Sequence, residues 1–276
     1  MTALQAIITA ILQGITELFP VSSLGHAVIL PKIFGWAIDQ HAADFLPFLV
    51  VLHSGTAVAL LAYFWRDWFD FGMSLLGRKG ERAAADRKLF WLIVLATLPA
   101  VVTGFAFRKI LGDAFGSPAI AAAFLIVNGF ILFIGEKLRK EGRATGTLDD
   151  LTWKGALAIG AVQCAALIPG ISRSGVTMVG GILAGLHHRD SARFSFLLAT
   201  PIIIGATVLE APKLLRSDAT LGSLAVLSGV VAGVVAFVSI VALMRYFKAH
   251  DFEALNPFAY YCWIAGALSL SYILVF

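Results

Sequence analysis

Six apolar runs, each long enough to cross a lipid bilayer, constrain the fold of this chain more than any other feature. They cover residues 45–65, 89–107, 119–135, 194–212, 221–244 and 257–276. A transmembrane helix needs about 17–25 residues, and it satisfies its backbone polar groups internally. Continuous apolar runs favour helices over alternating barrel strands. The sequence therefore predicts an all-α integral membrane protein with six transmembrane helices.

The overall composition agrees with membrane lipid as the surroundings of the chain. Of the 276 residues, 59% are hydrophobic and 14% are charged, whereas soluble domains are about half apolar and a quarter charged. The formal net charge of +4 is small. It gives no reason to expect a nucleic acid partner.

Four shorter apolar runs form two pairs, and each pair is interrupted by proline, glycine and serine. Residues 4–19 end at Pro20 and are followed by residues 27–36, while residues 154–168 end at Pro169 and are followed by residues 176–186. A short helix, a break and a second short helix are typical of a re-entrant hairpin. The sequence therefore predicts two re-entrant helical hairpins beside the six crossings.

The two halves of the chain show internal similarity. The matching pairs are Gln13 with Gln163, Ser22 with Ser172, Gly25 with Gly175, Gly55 with Gly205 and Arg66 with Arg216 at an offset of 150, and Arg108 with Arg245 and Gly129 with Gly266 at an offset of 137. They indicate a single membrane domain over residues 1–276, with one repeat over about 1–140, a cytoplasmic linker over about 141–153 and a second repeat over about 154–276. Three crossings per repeat require the second repeat to be inverted, which places a binding site near the midplane.

The distribution of Lys and Arg predicts the topology. Fifteen of the 21 lie in the loops that this arrangement places together on one side, five lie on the other side, and Arg173 lies in a hairpin. Because positive charge concentrates in cytoplasmic loops, both termini are expected outside. The first hairpin then enters from the outer face, and the second from the cytoplasm.

The tips of both hairpins carry charge. The first reads ELFPVSSLGH, from Glu17 to His26, and the second reads PGISRSGVT, from Pro169 to Thr177, with Arg173 at its centre. A charge at the centre of a membrane helix costs about 2.5–3.5 kcal/mol on insertion scales. One explanation is a Glu17–Arg173 pair that only holds the hairpins together, but it leaves the surrounding hydroxyls and glycines unexplained.

The hydroxyls and glycines fit an anion site. Ser22 or Ser23 precedes one short helix and Ser172 or Ser174 precedes the other. Serine is a favoured N-cap, so both helix N-termini would point their free N–H groups at one region.

Three further residues favour a diphosphate as the occupant of this site. Gly170 and Gly175 permit close backbone approach to a ligand. Arg173 adds a planar charged fork that suits phosphate oxygens.

The roles of Glu17 and His26 remain open at this point. Glu17 lies one helical turn after Gln13, and it could be a metal ligand, a general base or the group that orients Arg173. His26 follows Ser23 by three residues and could accept its proton, which would make the serine a nucleophile. A histidine that is simply satisfied in the core is the alternative.

The segments 13–26 and 169–177 resemble the two signature motifs of the undecaprenyl-diphosphate phosphatase family, the bacitracin-resistance type. The resemblance extends over essentially the whole chain, including FSFLLATP at 194–201. It implies a phosphatase that acts on a C55 polyprenyl diphosphate at the outer face of the bacterial inner membrane, with a divalent cation, Mg²⁺ or Ca²⁺. It also implies the predicted fold. The important residues by this resemblance are Glu17, Ser23, His26, Ser172, Arg173 and Thr177.

The chain departs from the family pattern at two positions. The first motif often begins with glutamate, where this chain has Gln13, and the residue after the second serine is often small or hydroxylated, where this chain has Leu24. A neutral amide cannot supply charge or act as a base. Any cation would therefore depend on Glu17, with Gln13 contributing one oxygen.

Two other functions compete with the hydrolase. Inverted repeats with broken helices are also typical of transporters, so a polyprenyl-phosphate flippase is the main alternative. A phosphatase of the acid-phosphatase superfamily type would carry a histidine six residues after the arginine, where this chain has Val179. The sequence is also compatible with a homodimer.

Overall fold

The fold is described from a computed structural model. It describes residues 1–40, 42, 44–107, 116–139, 146–214, 219–250 and 253–276, with the side chains of residues 210–214 and 219–221 left aside. Of the sequence predictions, those for Arg108, Arg216 and part of the linker, residues 141–145, fall outside the described residues.

Eleven α-helices cover most of the described chain. They are α1 (Ala3–Thr16), α2 (Ser23–Ile33), α3 (Phe45–Tyr63), α4 (Trp65–Leu75), α5 (Glu81–Ala106), α6 (Pro118–Leu138), α7 (Trp153–Gln163), α8 (Arg173–Leu183), α9 (His188–Leu214), α10 (Ala219–Ala249) and α11 (Asn256–Val275). Short 3₁₀ turns cover Leu148–Asp150 and Cys164–Leu167. Apart from one isolated bridge between Gly146 and Leu186, these ranges contain no extended pairing.

The six predicted transmembrane helices are confirmed as helices. In the described part of the chain, α3, α5, α6, α9, α10 and α11 are the six that are long and apolar enough to cross a membrane. The chain is therefore a multi-pass membrane protein, as its composition predicts.

Several helices are longer than their apolar runs. Helix α5 begins at Glu81 rather than at residue 89, and α9 begins at His188 rather than at residue 194. The stretch predicted as a loop after residue 65 contains α4, which is amphipathic and packs on α5. A search for bilayer-length apolar runs misses these segments because a helix continues into the polar interface wherever its backbone bonds are satisfied.

Both interrupted pairs form two short helices around a turn. In the first pair α2 begins at Ser23, four residues before the predicted start, because the hydroxyl of Ser22 caps it. In the second pair a 3₁₀ turn and Gly170 separate α7 from α8. Gly170 has a φ of +100°, and a Cβ there would lie 2.3 Å from the carbonyl oxygen of Ala121. This position therefore requires glycine for both its conformation and its packing.

Small residues allow the long helices to approach closely. A Cβ on Gly55 of α3 would lie 1.9 Å from the carbonyl oxygen of Gly229 on α10, and one on Gly160 of α7 would lie 2.4 Å from that of Ala96 on α5. Membrane helices pack through small residues because lipid provides no hydrophobic driving force between them. One buried core cluster extends over both predicted repeats, from Leu18 to Cys262.

Asn128 on α6 holds the tips of the two short-helix pairs side by side. Its amide nitrogen donates to the carbonyl oxygen of Pro20 at 2.9 Å, and its amide oxygen accepts from the backbone N–H of Ser172 at 2.9 Å. The hydroxyl of Ser174 donates to the carbonyl oxygen of Phe19 at 3.2 Å. The tips that carry Ser22 and Ser172, which the sequence places 150 positions apart, therefore lie side by side.

Candidate active site

A cavity of about 320 Å³ lies beside the two tips. Its polar side is formed by residues of both tips and by one residue each from α3 and α7: Glu17, Ser22, Ser23, Ser172, Arg173, His53 and Gln163. Its apolar side comes mainly from α3, the 3₁₀ turn after α7, and α9: Leu46, Leu49, Val50, Leu167, Ile202 and Ile203. One compartment therefore offers both a charged end and an apolar end.

The N-termini of α2 and α8 border the polar side of this cavity. The hydroxyl of Ser22 accepts from the N–H of Gly25 at 3.2 Å, and that of Ser172 accepts from the N–H of Gly175 at 3.1 Å. These are the predicted N-caps, and they leave other first-turn N–H groups without intrahelical partners. Both helix dipoles direct their positive ends to this region, which favours an anion.

The two caps differ in backbone conformation. Ser22 has φ +68° and ψ +94°, whereas Ser172 has φ −83°. A non-glycine residue at positive φ costs about 1–3 kcal/mol and persists where its surroundings hold it. The strained turn places Ser23 next to Glu17.

Glu17 is the centre of the hydrogen-bond network. Its Oε2 accepts from the hydroxyl of Ser23 at 2.6 Å and from the amide nitrogen of Gln13 at 3.3 Å, and it lies 3.3 Å from Nε2 of His53. Its Oε1 accepts from Nη2 of Arg173 at 3.1 Å. The residue is 7% exposed, so these donors and the guanidinium compensate its buried charge. The contact between Glu17 and Arg173, one of the explanations that the sequence offered for these two charges, is present.

Arg173 is held by groups on three elements. While Nη2 binds Glu17, Nη1 donates to the carbonyl oxygen of Ser195 on α9 at 3.1 Å. The hydroxyls of Ser195 and Thr177 lie 2.6 Å apart, and Thr177 also donates to the carbonyl oxygen of Arg173 at 2.7 Å. Thr177 therefore contacts the backbone that supports Arg173 rather than the cavity. Sequence reasoning missed Ser195, because a backbone carbonyl leaves no signal.

His53 is a site residue that sequence reasoning also missed. It lies on α3 and lines the cavity, and its Nδ1 lies 2.8 Å from the carbonyl oxygen of Leu49. Its Nε2 lies 3.3 Å from the Glu17 carboxylate, so both ring nitrogens face acceptors, and the ring donates to both only when it carries two protons. A signal was available, since His53 is the one histidine inside the six predicted spans, and an ionisable residue in a span is by default a functional candidate.

His26 lies on the other side of α2. Its Nδ1 is 2.7 Å from the carbonyl oxygen of Ser22, and its Nε2 is 2.7 Å from the hydroxyl of Tyr261 on α11. Neither ring nitrogen contacts Ser23, and His26 does not line the cavity. The group on the hydroxyl of Ser23 is Glu17 instead.

The remaining predicted substrate contacts lie behind the tips. Gly170 packs on α6. A Cβ added to Gly25 would lie 3.1 Å from the Cα of Gly170. The hydroxyl of Ser174 lies 3.0 Å from that of Ser172 and also reaches Phe19, while Gly175 packs on Leu132. None of Gly170, Ser174, Gly175 and Thr177 lines the cavity. In the described structure they shape and support the tips.

The possibility of a cation depends on few oxygens. The described residues contain no group of three or more His, Cys, Asp and Glu side chains that could hold a metal. Glu17 offers a carboxylate, and the amide oxygen of Gln13 is buried without a hydrogen-bond partner among the described residues. Hard cations prefer oxygen ligands and commonly complete their shell with substrate phosphates. Of the two, only Glu17 lines the cavity, so Glu17 is the residue that would hold a cation shared with a phosphate ligand.

This arrangement can support phosphoryl transfer. The hydroxyl of Ser23 donates to the carboxylate of Glu17, so a nucleophile lies beside a general base that can accept its proton. An arginine and two helix N-termini on the same cavity can stabilise the charge of a phosphoryl group.

Comparisons with known proteins agree with these features. The family model described as "Bacitracin resistance protein BacA" matches residues 6–268. The chain is 53% identical to a protein of Granulibacter bethesdensis named undecaprenyl-diphosphatase, over 99% of this chain and 97% of the relative. It is 54% identical to an undecaprenyl-diphosphatase of Acidiphilium cryptum, over 98% of each chain. It is 46% identical to an undecaprenyl-diphosphatase 2 of Chromobacterium violaceum, over the full length of both.

Proposed function

This chain belongs to the bacitracin resistance protein BacA family, and on that premise we propose its function and mechanism. It is a membrane phosphatase that hydrolyses undecaprenyl diphosphate to undecaprenyl phosphate and phosphate, which recycles the lipid carrier of cell-wall synthesis. The observation that carries this proposal is the 2.6 Å contact between Ser23 and Glu17 in a cavity that Arg173 shares.

The reaction uses Ser23 as the nucleophile. Its Oγ attacks the terminal phosphorus while Glu17 accepts the hydroxyl proton, and the bond from that phosphorus to the bridging oxygen breaks. The lipid monophosphate leaves. Water then hydrolyses the phosphoserine, returning the serine and releasing phosphate. Arg173 and the N-termini of α2 and α8 stabilise the charge on the transferring group.

A divalent cation, Mg²⁺ or Ca²⁺, is part of this proposal. Glu17 would hold it together with substrate oxygens, and Gln13, which does not line the cavity, would contact it only on the side away from the substrate. When bound, it would neutralise charge on the diphosphate. Oε1 of Glu17 accepts one hydrogen bond, from Arg173, so a second lone pair of that oxygen would be available to a cation.

The proposal includes the membrane arrangement that the sequence predicts. The short pairs α1–α2 and α7–α8 are re-entrant hairpins in two inverted repeats, and the site opens to the periplasmic face of the bacterial inner membrane. Two facts support this. None of the four helices has the roughly 20 residues that a crossing needs, and Lys and Arg concentrate on the opposite side. The prenyl chain extends along the apolar side of the cavity. A homodimer remains a prediction.

Phosphate release in detergent tests the proposed function. Purified protein is incubated with undecaprenyl diphosphate, and inorganic phosphate is measured for wild type and Ser23→Ala. Detergent removes the transmembrane gradient, so a flippase without hydrolytic activity releases nothing. We expect release by the wild type and a loss of about 100-fold or more in the variant. Absence of release by folded wild-type protein contradicts the hydrolase.

A further inference from the structure

Gln163, the last residue of α7, is a buried amide without a hydrogen-bond partner. It is 2% exposed and lines the same cavity as Glu17 and Arg173. Neither its Nε2 nor its Oε1 has a partner among the described residues. Leaving a buried donor or acceptor unpaired costs free energy, so such groups are few and call for an explanation.

A second unpartnered donor lies in the same cavity. The two terminal nitrogens of Arg173 bind Glu17 and Ser195, but its Nε is buried with no partner in the described part of the chain. The caps of α2 and α8 line the same cavity. Two free N–H donors beside two helix N-termini suit a ligand that carries several anionic oxygens.

We infer that Gln163 binds the substrate diphosphate, its Nε2 donating to a phosphate oxygen next to the one that Arg173 Nε contacts. Its Oε1 remains to accept from water that enters with the substrate. This inference rests on the proposed function and adds a binding residue to it. Gln13 does not have the same role, because its amide nitrogen already donates to Glu17 and it does not line the cavity.

The decisive variant is Gln163→Met, which keeps the length of the side chain and removes both polar atoms. In the absence of ligand it should melt at or above the wild-type temperature, since a buried unpaired amide is replaced by an apolar group. Its KM for undecaprenyl diphosphate should rise about tenfold, the loss expected for one hydrogen bond to a charged group. The increase in Tm caused by methylenediphosphonate, a diphosphate that cannot be hydrolysed, should shrink in parallel.

A control on the same helix separates binding from packing. Ile159 is fully buried and does not line the cavity, so Ile159→Val should lower Tm and leave KM unchanged. A Gln163→Met protein with a lowered Tm and an unchanged KM has lost a structural group, and that result overturns the inference. If the Met variant does not fold, Gln163→Asn decides, with a raised KM in support and an unchanged KM against. Wild-type phosphate release is measured in the same series, so failure of the proposed function is recognised separately.

Discussion

The hydroxyl of Ser23 lies 2.6 Å from Oε2 of Glu17, and the other oxygen of that carboxylate lies 3.1 Å from Nη2 of Arg173. One buried side chain therefore links the nucleophile to the positive charge that attracts the phosphate. Because Arg173 neutralises the negative charge of Glu17, the carboxylate does not strongly repel an anionic substrate. A single carboxylate thus connects the tip of the first short-helix pair to the tip of the second, which makes Glu17 the most informative residue to change.

Glu17→Gln should lower phosphate release by about 100-fold, because an amide cannot accept the proton of Ser23. The variant loses both the proton acceptor for Ser23 and a charged ligand for the cation. Raising the Mg²⁺ concentration should compensate only for the weaker cation binding and so recover only part of the activity. Turnover is measured per folded protein across a metal titration, because loss of the counter-charge of Arg173 also lowers stability. Gln13→Ala is the milder comparison. A folded Glu17→Gln protein with wild-type turnover removes every role given to this carboxylate.

Arg173→Lys should lower phosphate release about tenfold or more although the positive charge is kept. The guanidinium binds Glu17 and the carbonyl oxygen of Ser195 at the same time, and a lysine ammonium lacks that planar fork. Steady-state kinetics on undecaprenyl diphosphate measure the effect. Arg189→Lys, at an exposed position on α9, is the matched control and should retain full turnover. Equal rates for the two variants would mean that Arg173 supplies only charge.

His53→Ala should lower turnover about tenfold, because Glu17 loses one of the groups that hold its carboxylate in place. Phosphate release is compared with His250→Ala, whose side chain is exposed and should be neutral. Tm is recorded beside each assay. Unchanged turnover in folded His53→Ala protein would show that the contact between His53 and Glu17 has no part in the reaction.

Gly55→Ala should prevent close packing of α3 on α10, since the new Cβ would lie 1.9 Å from a backbone carbonyl oxygen. Overpacking costs about 1–3 kcal/mol or more, so a marked fall in Tm and in the yield of folded protein is expected. Gly205, its partner in the predicted repeat, has open space around it. Gly205→Ala should therefore leave Tm unchanged or raise it slightly. Equal effects at both positions would contradict the packing of α3 on α10.

Both termini should face the periplasm. The reason is the excess of Lys and Arg on the side of the connections from α3 to α5, from α6 to α7, from α8 to α9 and from α10 to α11, in the connections and in the adjoining helix ends. A cysteine added after Phe276 should react with a membrane-impermeant thiol reagent in intact spheroplasts. The two native cysteines, Cys164 and Cys262, are replaced first. Labelling that requires disruption of the membrane would reverse the topology and the side from which each hairpin enters.

Much of the fold could be predicted from the sequence, because its causes are local. The length of an apolar run decides whether a helix can cross a bilayer, and the six runs all became helices. Proline and glycine between short runs marked the turns, and Ser22 and Ser172 became N-caps because their partners lie three residues away. The Glu17–Arg173 pair was one of the explanations that the sequence offered for two charges in an apolar chain.

Only the tertiary structure decided which groups share the cavity. The sequence alone allowed either His26 or Glu17 to contact the hydroxyl of Ser23. In the structure the ring of His26 contacts the carbonyl oxygen of Ser22 and the hydroxyl of Tyr261 on α11 instead. His53 reached Glu17 because α3 packs beside the first tip. Gln163 became a cavity residue with no partner in the described chain. These contacts join residues that are distant in sequence. Their geometry follows from how the helices pack, whereas capping and hydrophobic length follow from the nearest neighbours.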